Sequence, residues 1–439
     1  MKYSLQDTNR CVMCGMCLPH CPTYTQTRNE AESPRGRIAL IQAMDRGALP
    51  ASAALSRHLE SCLMCRACED MCPARVPYGA LMDLGRAQLE RRRWRLHRVA
   101  LQALRPLLIY RSLRRIAERL SRIAGHLGIW RRVGSIPGPS TGRPARAPWP
   151  DYLKPGSALA GPSVGLFTGC VAEIMDRDTL AAATRVLTAL GYHVVRPEGQ
   201  VCCGAIHHHN GLPATSAGLI ERNARAFGDP HIQAIVSTAT GCGAFLSEAD
   251  QLIETPQVTE LARRHRDIVG FVVDSPRWPA LRLSPSRARV AVHIPCSLAH
   301  VLKEPDLPFS LLGRVPGLQA QALPGNDRCC GAAGTYMITH RKMARTLGDD
   351  KVDAIEASGA DIVVTPNIGC RIHLQAALSR RGLTVEVIHP VTLVARQLAG
   401  DRQGADRGPG VVSSAAQRSP SPGGPDVELD AHTTDPPDG

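Results

Sequence analysis

The sequence predicts a chain of α+β and α/β class: a small helical, cysteine-rich domain followed by two duplicated α/β modules. Three observations carry this. Eight of the 16 cysteines fall near the N-terminus in two runs of identical spacing. The other eight recur in two sets with almost the same intervals. In each set a β-prone apolar run leads straight into a cysteine, and helical stretches lie between the runs, which implies a mostly parallel sheet.

The first run, CVMCGMCLPHCP, holds Cys11, Cys14, Cys17 and Cys21. The second, CLMCRACEDMCP, holds Cys62, Cys65, Cys68 and Cys72. Both read C-x2-C-x2-C-x3-C-P, the bacterial ferredoxin run, whose fourth cysteine ligates the other of two [4Fe–4S] clusters. Residues 1–85 are therefore read as a helical, two-cluster ferredoxin-like domain. Cys11, Cys14, Cys17 and Cys72 are assigned to one cluster, and Cys21, Cys62, Cys65 and Cys68 to the other. Pro22 and Pro73 turn the chain out of each loop without leaving an amide unpaired. Zinc sites favour two separated C-x2-C pairs, and disulfide frameworks suit short secreted chains, so neither fits a run of four. Met13, Met16, Met64 and Met71 lie between the cysteines and are expected to pack over the clusters and keep water away. Between the runs, PRGRIALIQAMDRGALP predicts a helix from about Arg37 to Arg46, and SRHLESC a short helix.

At 439 residues the chain has room for two or three domains. No apolar run is long enough to span a membrane. The N-terminal MKYSLQDTNR lacks the apolar stretch of a secretory signal. Cysteine used in motifs suits a reducing cytoplasm. The net charge of +13 is not spread evenly. Residues 86–150 hold 16 Arg, no Lys, no Asp and only Glu90 and Glu118, so this one segment accounts for the whole excess. Residues 86–132 interleave Arg with Leu, Ile and Val and predict amphipathic helices broken near Pro106. Such a connector suits docking to anionic lipid or an acidic subunit, or it is a solvated basic face. Aromatic residues are sparse at 4%, and no base-reading motif occurs, so no nucleic-acid partner is expected. Residues 133–162 read as a Pro/Gly-rich linker.

The duplication begins at residue 163. Module 1 (163–285) has Cys170, the Cys202–Cys203–Gly204 turn and Cys242. Module 2 (286–399) has Cys296, the Cys329–Cys330–Gly331 turn and Cys370. The intervals are 32 and 39 residues in the first copy and 33 and 40 in the second. The cysteines are expected outside the carboxyl ends of the strands, where α/β sheets place ligands. RDTLAAATRVLTALG predicts a helix closed at Gly191. His207, His208 and His209 are read as a solvated polar loop in preference to a metal site or proton relay. Residues 400–439 cannot bury a core and are expected to be a disordered tail.

Two ferredoxin runs followed by two Cys-Cys-Gly modules resemble the iron–sulfur subunit of bacterial glycolate oxidase (glycolate dehydrogenase). The strings CPTYTQTRNEAESPRGRIALI, TATGCGAF, CCGAAGTY and NIGCRIHLQ carry the likeness, over roughly residues 8–398. The iron–sulfur subunits of anaerobic glycerol-3-phosphate dehydrogenase and of heterodisulfide reductase share the same parts. The resemblance implies an electron-transfer subunit with no catalytic residue of its own. FAD and the substrate, glycolate or D-lactate, would belong to partner subunits. It also implies a cytoplasmic protein, peripheral on the inner face of the bacterial inner membrane where it passes electrons to a quinone. No nucleotide-binding G-x-G-x-x-G follows a strand here. In the heterodisulfide reductase relatives each module ends in C-x2-C and holds a cluster. Here Phe245 and His373 stand in the last position. Cys296, Cys329, Cys330 and Cys370, with His373 as an imidazole donor, are the candidate for a third cluster, and module 1 has the weaker claim. The alternative is that these thiols are buried small hydrophobes. If residues 86–132 dock electrostatically, the protein should leave a membrane fraction as salt rises above ~0.15 M, where the screening length is about 8 Å. Retention at 1 M salt would point to another contact.

Overall fold

The computed structural model describes residues 3–92 and 161–399. Most of the basic connector, the linker and the C-terminal tail lie outside these residues. These described residues group as one compact unit.

In the N-terminal domain the helix expected from about Arg37 runs over Pro34–Asp45. It starts earlier because Ser33 caps it, accepting from the Gly36 amide, and Pro34 fits the first helical turn. Ile38, Ile41 and Met44 line its buried face. The short helix is Ala53–Glu60, capped by Ser52. A third helix, Tyr78–Arg92, packs Leu81, Met82 and Leu89 into the same core. Gly85 permits the contact, since a Cβ there would sit 2.8 Å from Ile41. The expected domain end at residue 85 falls inside this helix. The helix continues because Arg86 is held within the domain: its guanidinium donates to the carbonyls of Leu59, Glu60 and Cys62.

Each module is a four-stranded parallel sheet with the same order. In module 1 the strands are β1 (Ser163–Phe167), β2 (His193–Val195), β3 (Ile232–Ser237) and β4 (His265–Asp267), arranged β2-β1-β3-β4. In module 2 they are β5 (Arg289–Val292), β6 (Gln319–Ala322), β7 (Ile362–Val364) and β8 (Glu386–Ile388), arranged β6-β5-β7-β8. β1 and β3, like β5 and β7, flank the point where the strand order reverses. The chain emerging from these strands carries Cys170, Cys242, Cys296 and Cys370, so the thiols stand where open α/β sheets form their ligand crevice. The Arg177–Ala189 helix follows β1, close to the expected span.

The modules exchange their last helices. Pro390–Arg396 of module 2 packs on Arg177–Ala189 of module 1, and Ile268–Val273 of module 1 packs on Leu307–Leu312 of module 2. One apolar core therefore contains Leu166, Leu187 and Val272 from the first copy and Val292, Leu311 and Val394 from the second. Asp267 and His389 occupy matching positions and cap these two helices, accepting from Val269 and Val391 amides.

Burial holds His265 and His389 down at about 3, with Arg266 and Arg371 adding to the effect. Unfolded histidine titrates near 6.5, so between those values the unfolded chain takes protons that the native chain refuses. This contribution to stability is full above pH ~6.5 and falls on acidification, by about 2 kcal/mol per histidine at pH 5. Asp267, raised to about 7 by burial, works in the opposite sense. Urea unfolding at pH 7 and pH 5 should therefore show a shallower acid loss in His389→Gln than in the parent chain. Equal slopes would contradict the assignment.

Candidate metal centres

The two cysteine runs fold into loops of one shape. Met13 and Met64, each two residues after the first cysteine, have φ of +59° and +55°. Gly15 and Arg66, each just after the second cysteine, have φ of +85° and +63°. Left-handed residues at these points turn the chain sharply, and they are costly outside glycine unless the fold imposes them. Such turns let three thiols and several amides face one volume, as an anionic cluster requires.

The first loop lies at the surface. Cys14 is exposed, and Cys11, Cys17 and Cys72 are half-buried in the same packed group. Val12, Met13, Met16 and Met71 are 70%, 41%, 57% and 40% exposed. The expectation that the methionines shield the clusters is thus corrected for Met13, Met16 and Met71. Of the four, Met64 is drawn against the core, and among the described residues no element covers the first loop in the same way.

The second loop is buried. Cys21, Cys62 and Cys68 are inaccessible, and Cys21 sits close enough to influence Cys65, Cys68 and Tyr78 electrostatically. This gathers Cys21 with the second run. Beneath them lies Arg37, only 1% exposed, paired with Glu32 at 2.6 Å and with Nη1 4.0 Å from Cys21 Sγ. Tyr78 Oη is 3.7 Å from Cys62 Sγ. These donors suit sulfurs that carry negative charge. The loop is clamped from both sides. Arg66 pairs with Glu248 of module 1 at 2.6 Å, and Asp70 pairs with His300 and Lys303 of module 2. Arg86 also donates to the His209 carbonyl, and a Cβ on Gly211 would meet the Arg86 carbonyl at 2.6 Å.

The module thiols form two contiguous rows. In module 1, Cys170 and Cys202 have sulfurs 3.5 Å apart, and Cys203 bridges Cys202 and Cys242. In module 2 the row runs Cys296, Cys329, Cys330, Cys370. Neighbouring thiols and burial push Cys203, Cys296, Cys329 and Cys330 well above the normal thiol range, and Cys202 up to about 12. Crowded buried thiols resist ionising until a cation compensates them, which is the donor chemistry of a metal centre. Both rows, together with Cys62 and Cys65, line one cavity of about 450 Å³. Cys65 packs with Cys296, Leu63, Cys329 and Tyr336, so the second loop abuts module 2 directly.

The structure departs from sequence expectation at the histidines. His207–His209 lie in the Ala205–His209 helix, not in a solvated loop. His207 and His208 are buried, and Asp83 of the Tyr78–Arg92 helix meets His209 at 2.9 Å and His208 at 3.5 Å. The N-terminal domain covers them, which local polarity could not reveal. His373 points its Nε2 at the Ala344 carbonyl, 2.9 Å away. The imidazole that does reach the module 2 thiols is His293: its ring nitrogen and the sulfurs of Cys330 and Cys370 all lie within 4.8 Å of one another. Its sequence signal was position alone, three residues before Cys296.

Comparison with known proteins agrees with this architecture. The 4Fe-4S dicluster domain family matches residues 7–76, and the cysteine-rich domain family matches 164–247 and 290–375. The glycolate oxidase iron–sulfur subunit of Escherichia coli is 34% identical over 382 residues, covering 84% of this chain and 89% of that one. The chain belongs to the family of glycolate oxidase iron–sulfur subunits. A fumarate reductase (CoM/CoB) subunit of Methanothermobacter marburgensis is 28% identical over 387 residues, 86% of this chain and 70% of that one. Lactate utilization protein A of Halalkalibacterium halodurans is 28% identical over 235 residues, 52% of this chain and 93% of that one. In this family member, Arg37→Met should cost roughly 1–3 kcal/mol, since Glu32 loses its buried cation and keeps only His58 and Ser61, and should lower the iron retained on anaerobic purification. Full iron content with unchanged unfolding would remove Arg37 from the second loop's support.

Proposed function

We propose that this chain carries electrons within a glycolate-oxidising complex, taking them from an FAD-bearing partner subunit and delivering them to a membrane acceptor such as a quinone. The observation that carries this is the juxtaposition of Cys65 with Cys296 and Cys329, which brings the buried ferredoxin loop against the thiol row of module 2. Cys11, Cys14, Cys17 and Cys72 would hold one [4Fe–4S] cluster, and Cys21, Cys62, Cys65 and Cys68 the other. Bound there, the clusters supply one-electron storage and transfer. Cys296, Cys329, Cys330 and Cys370 would hold a third centre. Leu63, Tyr336 and Leu347 pack with Cys329 at this contact, with Cys65 and Cys296 against them. The placement proposed is cytoplasmic and peripheral to the membrane; among the described residues no helix is long and apolar enough to cross one.

A second reading, thiol–disulfide reduction, draws on the 3.5 Å approach of Cys170 and Cys202. Disulfide-dependent reoxidation of the reduced chain would favour it.

The test is anaerobic purification with partners attached, followed by dye reduction with glycolate, D-lactate and glycerol 3-phosphate. Glycolate activity with a co-purifying flavoprotein supports the proposal. Activity with glycerol 3-phosphate alone would move the chain to another dehydrogenase. Within an active complex, Cys→Ser at any of the eight N-terminal positions should stop electron delivery and leave flavin reduction by substrate intact. Loss of flavin reduction from a complex that stays assembled would contradict that division of labour.

A further inference from the structure

The two modules share a chain path, yet their thiol rows stand in different surroundings. Three residues before the first cysteine, module 1 has Phe167 and module 2 has His293. Phe167 is buried and packs its ring 6.1 Å from Phe227, so hydrocarbon fills that corner. His293 is only 1% exposed, and its Nδ1 meets Thr365 Oγ1 at 2.9 Å. The hydroxyl contact at Nδ1 orients the ring, and with the proton on Nδ1 the other nitrogen is free to ligate.

A second difference concerns charge. In module 2 the helix Arg341–Ser358 brings Lys351, 3% exposed, to the Gly325 carbonyl and near Cys296 and His293. At the comparable place in module 1, Asn223 bonds the Val201 amide and the Cys202 carbonyl through neutral groups. Asn367 adds a side-chain amide 3.4 Å from Cys370 Sγ. Among the described residues, module 2 therefore combines an imidazole, a buried cation and a donor to sulfur around its thiols.

We propose that His293 is a ligand of the module 2 centre, binding the same metal atom as Cys330 and Cys370. Two thiolates about 2.3 Å from one tetrahedral metal lie about 3.8 Å apart. Three donors mutually within 4.8 Å fit one such atom. His373 does not join this group of donors, and its Nε2 is turned to the Ala344 carbonyl. An imidazole in place of a thiolate leaves the centre less negative and raises its reduction potential. Module 2 then becomes the favourable destination for electrons arriving past Cys65. Phe167 denies module 1 the equivalent ligand. This inference rests on the proposed third centre.

The test uses the full chain purified anaerobically, with iron and sulfide analysis, nitrogen-sensitive pulsed EPR and redox titration. The parent protein should hold iron beyond two N-terminal clusters and show nitrogen coupling from the additional centre. His293→Cys should keep that iron, lose the coupling and shift the centre to a lower potential. His293→Phe, which copies module 1, should lose the additional iron while the N-terminal signals persist. His373→Gln should retain both iron and coupling. A third centre without nitrogen coupling, or with coupling indifferent to His293→Cys, overturns this inference and spares the third centre. Iron sufficient only for the N-terminal clusters overturns both.

Discussion

The second cysteine loop is the constraint on which the rest of the molecule depends. Arg86 gathers the carbonyls of Leu59, Glu60, Cys62 and His209 on one guanidinium, tying the loop to its own domain and to module 1 together. Buried carbonyls need donors, and a planar cation with five N–H groups satisfies several of them at once. Arg66 and Asp70, inside the loop itself, reach one module each. The loop is thereby fixed against the module thiols to within a packing contact.

That placement explains the contrast between the two ferredoxin loops. The first stays exposed, with apolar side chains at its rim. The second is enclosed, and enclosure alone disfavours the added charge of reduction. Arg37 and Tyr78 offset this at the sulfurs of Cys21 and Cys62. The exchange of terminal helices between the modules does similar work on a larger scale, because the shared core holds both thiol rows on one cavity.

Much of the chemistry was legible in the sequence. Cysteine spacing is local information, and the same spacing folded twice into the same left-handed turns. The duplication was readable because four apolar runs lead into cysteines at nearly equal intervals. The limits of single elements were less so: Ser33 and Pro34 start their helix earlier than apolar periodicity suggested, and Arg86 prolongs another past the expected boundary.

What failed were three expectations that depended on what lies opposite a residue. His207–His209 look polar in isolation, and Asp83 from another domain makes them part of an interface. Met13, Met16 and Met71 look like apolar cover for the clusters, and among the described residues they stay largely exposed. His373 has the right place in the motif, and His293 has the right place in space. The sequence by itself determined ligand type, spacing and the repeat, because those reside in neighbouring residues. Only the tertiary structure decided which thiols meet, which imidazole joins them and which loop is enclosed, because those depend on contacts between segments far apart in the chain.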